Sequence, residues 1–250
     1  MNGITPAAPP GIEVRDLTLR FGSRTIFERL NFTLEGGTFV AMLGASGAGK
    51  TSLLKIIAGL ANASAGTVVA SDGLPVPGRI AYMGQQDLLY PWLTVLENIT
   101  LGPRLRGEKA DMDWAAHLLE RVGLSGHGQD RPAALSGGMR QRAAIARTLY
   151  ERQPIVLMDE PFSALDAITR ATVQTLAAEL LADRTVLLIT HDPMEACRLS
   201  HRLLVLSRHP AGIDDSHAIG GRPPRAPDDA DLQKSQAALL QQLVRAAECE

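Results

Sequence analysis

Cysteine is nearly absent from this chain: Cys197 and Cys249 are the only two in 250 residues. Two thiols cannot build a disulfide framework, and neither has metal-ligand spacing, which excludes a stapled scaffold and a zinc module. Cys197 reads as an inert helix thiol and Cys249 as a tail thiol. Aromatic residues are sparse, at 4%. No apolar run reaches the roughly 18 residues of a membrane-spanning helix. Met1–Pro6 has neither the basic nor the apolar region of a secretory signal, so a cytosolic chain is expected. A basic surplus is missing too. Lys and Arg number 25 against 27 Asp and Glu, for a net charge of -2, which argues against a general nucleic-acid binder. No internal repeat is visible. What is present is 45% apolar residues and enough length for one large α/β domain with a substantial core.

The densest signal is Gly44-Ala45-Ser46-Gly47-Ala48-Gly49-Lys50-Thr51, which fits the phosphate-loop pattern G-x-x-x-x-G-K-[ST]. A chance match in a chain of this length is on the order of 1% from average residue usage. The apolar run Phe39–Leu43 leads in as a buried strand, and Ser52–Ala58 follows as a helix that stops at Gly59. Small residues let backbone N–H groups close around phosphate oxygens, and the helix N-terminus adds partial positive charge. The expected nucleotide contacts are Gly44, Ser46, Gly47, Ala48, Gly49, Lys50, Thr51 and Ser52. Lys50 would reach the β/γ-phosphates of ATP, and the Thr51 hydroxyl would bind Mg²⁺.

Around this loop the pattern alternates between strand and helix. Residues 1–10 read as a loose lead-in. Ile12, Val14, Leu17, Leu19 and Phe21, then Leu30, Phe32 and Leu34, give half-buried strands forming an N-terminal antiparallel β-layer. Thr67–Ala70 and Arg79–Met83 are further strand candidates. Thr94-Val95-Leu96-Glu97 matches a capping box and opens a helix. A second helix spans about 111–122, with Trp114, Leu118, Leu119 and Val122 on one face, and a third begins near Ser136. Residues 86–152 thus form a helical insert. Strands return at Ile155–Met158, Thr185–Thr190 and, last, Leu203–Leu206, with a helix over about 165–182 and a short one after Asp192-Pro193. Pro210–Asp229 reads as loop and Leu232–Ala247 as a helical tail. Histidines 117, 127, 201, 209 and 217 have no partner pattern and are expected to be solvated.

Ile155–Met158 ends in Asp159-Glu160. Such carboxylates can simply cap a turn. Beside a phosphate loop they also suit chemistry: Asp159 would order the Mg²⁺ water shell, and Glu160 would polarise the attacking water as general base. Leu135-Ser136-Gly137-Gly138-Met139, followed by Arg140-Gln141-Arg142, could be an ordinary serine-capped helix start. It stands 23 residues before Asp159 and after the helical insert, however, and that order resembles the ATP-binding cassette (ABC) ATPases, whose signature is LSGGQ. Met139 replaces the usual glutamine, which leaves Ser136 and the backbone donors in place.

The resemblance covers residues 12–225 as a single ABC ATPase domain. Segments 12–85 and 153–225 would form the P-loop core, 86–152 the helical subdomain, and 226–250 a C-terminal helical tail. It implies that Tyr82-Met83-Gly84-Gln85 is the Q-loop, with Gln85 sensing the γ-phosphate and Mg²⁺. Gln86 competes for that role, though counting back from Pro91-Trp92 favours Gln85. Ser163-Ala164-Leu165-Asp166 looks like the D-loop, and His191 like the switch histidine. Phe21, 29 residues before Lys50, stands where the family stacks an aromatic on adenine, but in isolation it reads equally as a core strand residue.

The family also implies a head-to-tail dimer in which Ser136, Gly137 and Gly138 of one chain close on the ATP held by the other. Transmembrane permease subunits would be separate polypeptides, with a periplasmic or extracellular solute-binding protein as an indirect partner. The chain would sit on the cytoplasmic face of the cell membrane as a peripheral ATPase subunit of an importer. Leu88–Val95 resembles the nitrate/sulfonate/taurine group, which includes importers of thiamine pyrimidine precursors. Rival readings fit less well. A P-loop kinase has no need of Leu135–Met139, and chromosome-maintenance ABC ATPases insert long coiled coils that are missing here. Two-cassette translation factors are longer, and a degenerate cassette would lack Glu160.

Overall fold

The computed structural model describes residues 8–208, 211–214 and 218–248. Cys249, His209, His217 and most of the expected lead-in lie outside them. The first two strands, β1 (Ile12–Phe21) and β2 (Arg24–Leu34), form an antiparallel hairpin, and β3 (Phe39–Gly44) runs into the phosphate loop. Helix α1 (Lys50–Ile57) follows and is pinned by burial of Leu53, Leu54, Ile56 and Ile57 along one face. Then come β4 (Ala65–Ala70) and β5 (Ile80–Met83). The helical insert holds α2 (Val95–Ile99), α3 (Leu101–Arg106), α4 (Met112–Arg121) and α5 (Gly137–Tyr150). The chain returns through β6 (Ile155–Asp159), α6 (Ala167–Leu180), β7 (Thr185–Ile189), α7 (Pro193–Leu199), β8 (Arg202–Arg208), β9 (Ala211–Asp214) and α8 (Ala230–Glu248).

Two sheets result. The antiparallel layer has the order β2-β1-β4, so its third strand comes from beyond the phosphate loop. The larger sheet has the order β5-β6-β7-β3-β8-β9, parallel except for β9. Its central strands are covered on both faces and are therefore continuous apolar runs. Strand period divides the core. Val156 and Met158 face the helical insert and α6, whereas Ile155 and Leu157 face α1 and the antiparallel layer. A third cluster joins Ala41, Leu43, Leu203 and Val205 to Cys197 of α7 and to Leu232 and Leu239 of α8. The chain is thus an α/β P-loop fold with an antiparallel layer and an inserted helical subdomain.

Two expectations need correction, and the structure divides the helix that Thr94 opens. The Pro210–Asp229 segment is not all loop, because β9 pairs antiparallel with β8. The helix opened by Thr94 is broken at Thr100 into α2 and α3. Pro103 has no N–H for the Ile99 carbonyl four residues back, so the hydrogen-bond ladder lapses there. His201 is not solvated: its Nδ1 accepts the Phe39 N–H at 3.0 Å, and burial lowers its pKa. Of the other described histidines, His127 lies 2.7 Å from Asp130, and His117 stacks on Trp114.

Candidate functional site

The carboxyl ends of β3, β6 and β7 open on one side of the sheet, where ligands bind in folds of this kind. A cleft of about 450 Å³ lies there, lined by Gly44, Ser46, Gly47, Gly49, Lys50, Thr51 and Ser52 on one wall and by Gln85, Asp159, Glu160 and His191 on the other. Gln86 is not among the lining residues.

The loop is shaped by glycine where other residues would not fit. At Gly44, with φ 149°, a Cβ would collide with the Leu206 carbonyl. At Gly49, with φ 97°, it would come within 2.5 Å of Ile26 Cγ2. Gly49 is also the N-cap of α1 and offers no side-chain acceptor, so the first N–H groups of α1 are left for a ligand. No acidic residue occupies that first turn, and its positive end stays uncompensated. Ala48 differs from its neighbours: its methyl is buried in the core, and its N–H is used within the loop on the Ala45 carbonyl. Lys50 Nζ donates to the Gly44 and Ala45 carbonyls at 2.7 and 2.9 Å, folded back along its own loop.

Across the cleft, Thr51 Oγ1 donates to Asp159 Oδ2 at 2.6 Å. Asp159 is buried, and burial raises its pKa, opposed by the Thr51 bond and by Lys50. Glu160 follows with φ 49°, an uncommon conformation for a non-glycine residue, fixed by its N–H on the Ile189 carbonyl. Its Oε2 lies 3.3 Å from His191 Nδ1, and the histidine is 68% exposed over the cleft. The turn after β6 has a support that the motifs did not disclose. Gln141, buried in α5, donates Nε2 to the carbonyls of Glu160 (3.3 Å) and Pro161 (2.7 Å). Its only trace in the sequence is its place two residues after Met139.

The remaining expected residues lie outside the cleft. Phe21 is 62% exposed at the end of β1, which rules out the core-strand reading. Ser136 caps α5 by accepting the Met139 N–H at 3.3 Å, with Gly137 and Gly138 opening that helix. Asp166 caps α6 through the N–H groups of Thr169 and Ile168, bonds that hold its pKa below the usual range.

The sequence pattern described as ABC transporter matches residues 27–163, more than half of the chain. The chain belongs to the ABC transporter family. As a member it is an ATPase. It is 43% identical over 237 residues to an uncharacterized ABC transporter ATP-binding protein of Haemophilus influenzae, covering 93% of this chain and 98% of that one. To the aliphatic sulfonates import ATP-binding protein SsuB 1 of Pseudomonas syringae pv. syringae it is 41% identical, over 90% of this chain and 93% of the relative. Among solved structures, the dimeric bacterial ABC transporter cassette MJ0796 matches with a TM-score of 0.75 and 29% identity, over 84% of this chain and 99% of that one. The same cassette in a dimeric post-hydrolysis state bound to ADP and Pi gives 0.74 at 29% identity, with the same coverage. Among the described residues of this ABC ATPase, no helix is long and apolar enough to cross a membrane.

Proposed function

We propose that this chain is the ATP-hydrolysing subunit of a multi-subunit importer of aliphatic sulfonates. The observation that carries the catalytic part is the convergence at one cleft of the uncapped start of α1, the Thr51–Asp159 pair and the Glu160–His191 pair. In this reading the amides of Ser46, Gly47, Gly49, Lys50, Thr51 and Ser52, with the Lys50 side chain, hold the phosphates of ATP, and Phe21 offers a face to adenine. Thr51, Asp159 and Gln85 would hold Mg²⁺, which when bound neutralises charge on the phosphates. Their chemistry fits that ion: a hydroxyl, one carboxylate and an amide oxygen, with the remaining positions left to phosphate and water. Among the described residues no group of three or more His, Cys, Asp or Glu could hold a metal alone, which also suits a cation shared with its substrate. Glu160 accepts the proton of the attacking water, and His191 steadies that carboxylate from the open side.

Ser136–Gly138 stand away from the cleft in their own chain, so they serve a partner copy. Ser136 and the first amides of α5 then close on its ATP from the far side, with Asp166 near the joint. Two copies make two such sites, and hydrolysis releases the pair. Permease docking is supported by large apolar side chains left exposed between β5 and α4. Trp92 is 65% and Leu105 74% exposed, and Tyr90 packs edge-on against Trp92.

The solute reading rests on the P. syringae relative and on a protein of the same name in Rhodococcus jostii, 42% identical over 94% of both chains. Deleting the gene should abolish growth on an alkanesulfonate as sole sulfur source and spare growth on sulfate. Unchanged growth on alkanesulfonates would reject the solute, and a defect confined to nitrate or to thiamine-free medium would reassign it.

A further inference from the structure

The last described segment contributes a buried guanidinium that the cleft does not explain. Arg225 lies between β9 and α8 and is only 4% exposed. Arginine is rarely buried so deeply without a carboxylate, and here backbone carbonyls take that place. All five N–H donors of its fork are used. Nε donates to the Gly220 carbonyl at 2.6 Å, and Nη2 to those of Ile219 and Gly221, which folds the segment around its own side chain. Nη1 reaches out of the segment, to the carbonyls of Cys197 (2.8 Å) and Ser200 (2.9 Å). Those two carbonyls belong to the last turn and C-cap of α7. A cation there satisfies acceptors that the helix leaves open and complements the negative end of its dipole. The Arg198 backbone carbonyl also accepts the Arg225 N–H, while Arg198 Nε donates to the Arg225 carbonyl.

Helix α7 begins two residues after His191. Its first turn is capped by Asp192, and the Asp192 N–H donates to Thr190 Oγ1 at 3.0 Å. Its middle is tied to α6: Arg198 Nη1 donates to Gln174 Oε1 at 2.7 Å, and Gln174 Nε2 donates to Glu195 Oε2 at 3.0 Å. The Glu195 N–H donates in turn to Asp192 Oδ1 at 3.4 Å. Polar bonds therefore run without interruption from Arg225 through α7 to the residues on either side of His191. An apolar side chain would cover the core equally well, but it could not fix the end of a seven-residue helix through its carbonyls.

We propose that Arg225 is a positioning residue for ATP hydrolysis, holding α7 at its C-terminal end so that His191 meets Glu160 at the cleft. The proposal rests on the roles assigned above to His191 and Glu160. It gives the segment after β9 a part in turnover, not merely in covering the fold.

The test is a double-mutant cycle on the full-length protein, with Arg225→Ala and His191→Ala made singly and together and hydrolysis followed by release of radiolabelled phosphate. Arg225→Ala should lower kcat about tenfold, which is about 1.4 kcal/mol, and leave KM for ATP within about twofold. In the His191→Ala background the same substitution should have no further effect, because Arg225 acts through His191. A purely structural role would give the same loss on both backgrounds, and that result, or wild-type kcat in Arg225→Ala, would overturn the proposal. Wild-type kcat in His191→Ala would instead reject the role of His191, and this proposal with it. Arg225→Lys, which keeps the charge but has three donors in place of five, serves in the same cycle should the alanine variant fail to fold. It should give an intermediate kcat.

Discussion

Thr51 Oγ1 donates to Asp159 Oδ2 at 2.6 Å, joining the first turn of α1 to the end of a strand 108 residues away in sequence. The bond holds together two of the three residues assigned to Mg²⁺, and it opposes the burial that raises the pKa of Asp159. Thr51→Val keeps the shape and removes the donor. The valine protein should unfold about 1–3 kcal/mol more easily in urea, since a buried acceptor loses its partner. Its kcat should fall more than tenfold, and added Mg²⁺ should not restore it. Wild-type turnover at ordinary Mg²⁺ would remove Thr51 from the metal assignment.

Gln141 binds α5 to the turn that follows β6. Its amide donates to the Glu160 and Pro161 carbonyls, which holds Glu160 in its left-handed conformation. Gln141→Leu preserves most of the volume and leaves both carbonyls without that donor. We expect a loss of about 1–3 kcal/mol in stability. We also expect a drop in kcat larger than any change in ATP affinity, measured by titration of a fluorescent ATP analogue. A variant that loses stability but keeps kcat would show that the turn holds its shape without the glutamine.

Gln141 also marks where the sequence stops being informative. The phosphate loop and the Thr94–Glu97 capping box were legible because each is local: its partners lie within a few residues, and spacing alone encodes the geometry. Both sides of the capping box form as expected. Gln141 and His201 were not legible, because their partners come from residues about 20 and 162 positions away. Strand β9 escaped for a different reason. Ala211-Gly212-Ile213-Asp214 has only one β-branched residue, and it forms a strand because it pairs along β8 at the sheet edge. Phe21 was ambiguous because alternation along β1 fits a core residue as well as an exposed one, and a register shift near Leu19 decides which.

Glu195 should give the fold a pH dependence. It is buried on α7 against Gln174 and Thr190, and burial raises its pKa from 4.5 to about 7. The folded state therefore holds the proton more tightly than the unfolded chain does. Stability from this group is present in full below about pH 4.5 and is lost as pH rises toward 7, by about 3 kcal/mol at most. Glu195→Gln cannot titrate, so the difference in unfolding free energy between wild type and variant should shift in favour of the variant between pH 5 and 8. A difference that does not change with pH over that range would contradict the burial assigned to this carboxyl.

Glu160 is assigned the activation of water in an ATP site completed by a second copy of the chain. That assignment is tested most directly by measuring phosphate release and molecular mass together for purified Glu160→Gln in ATP and Mg²⁺. The variant should show no detectable hydrolysis, a stable ATP-dependent dimer, and loss of that dimer when Ser136→Arg is added. Wild-type hydrolysis by Glu160→Gln would contradict the assignment of the base, and a dimer that persists with Ser136→Arg would contradict the shared site.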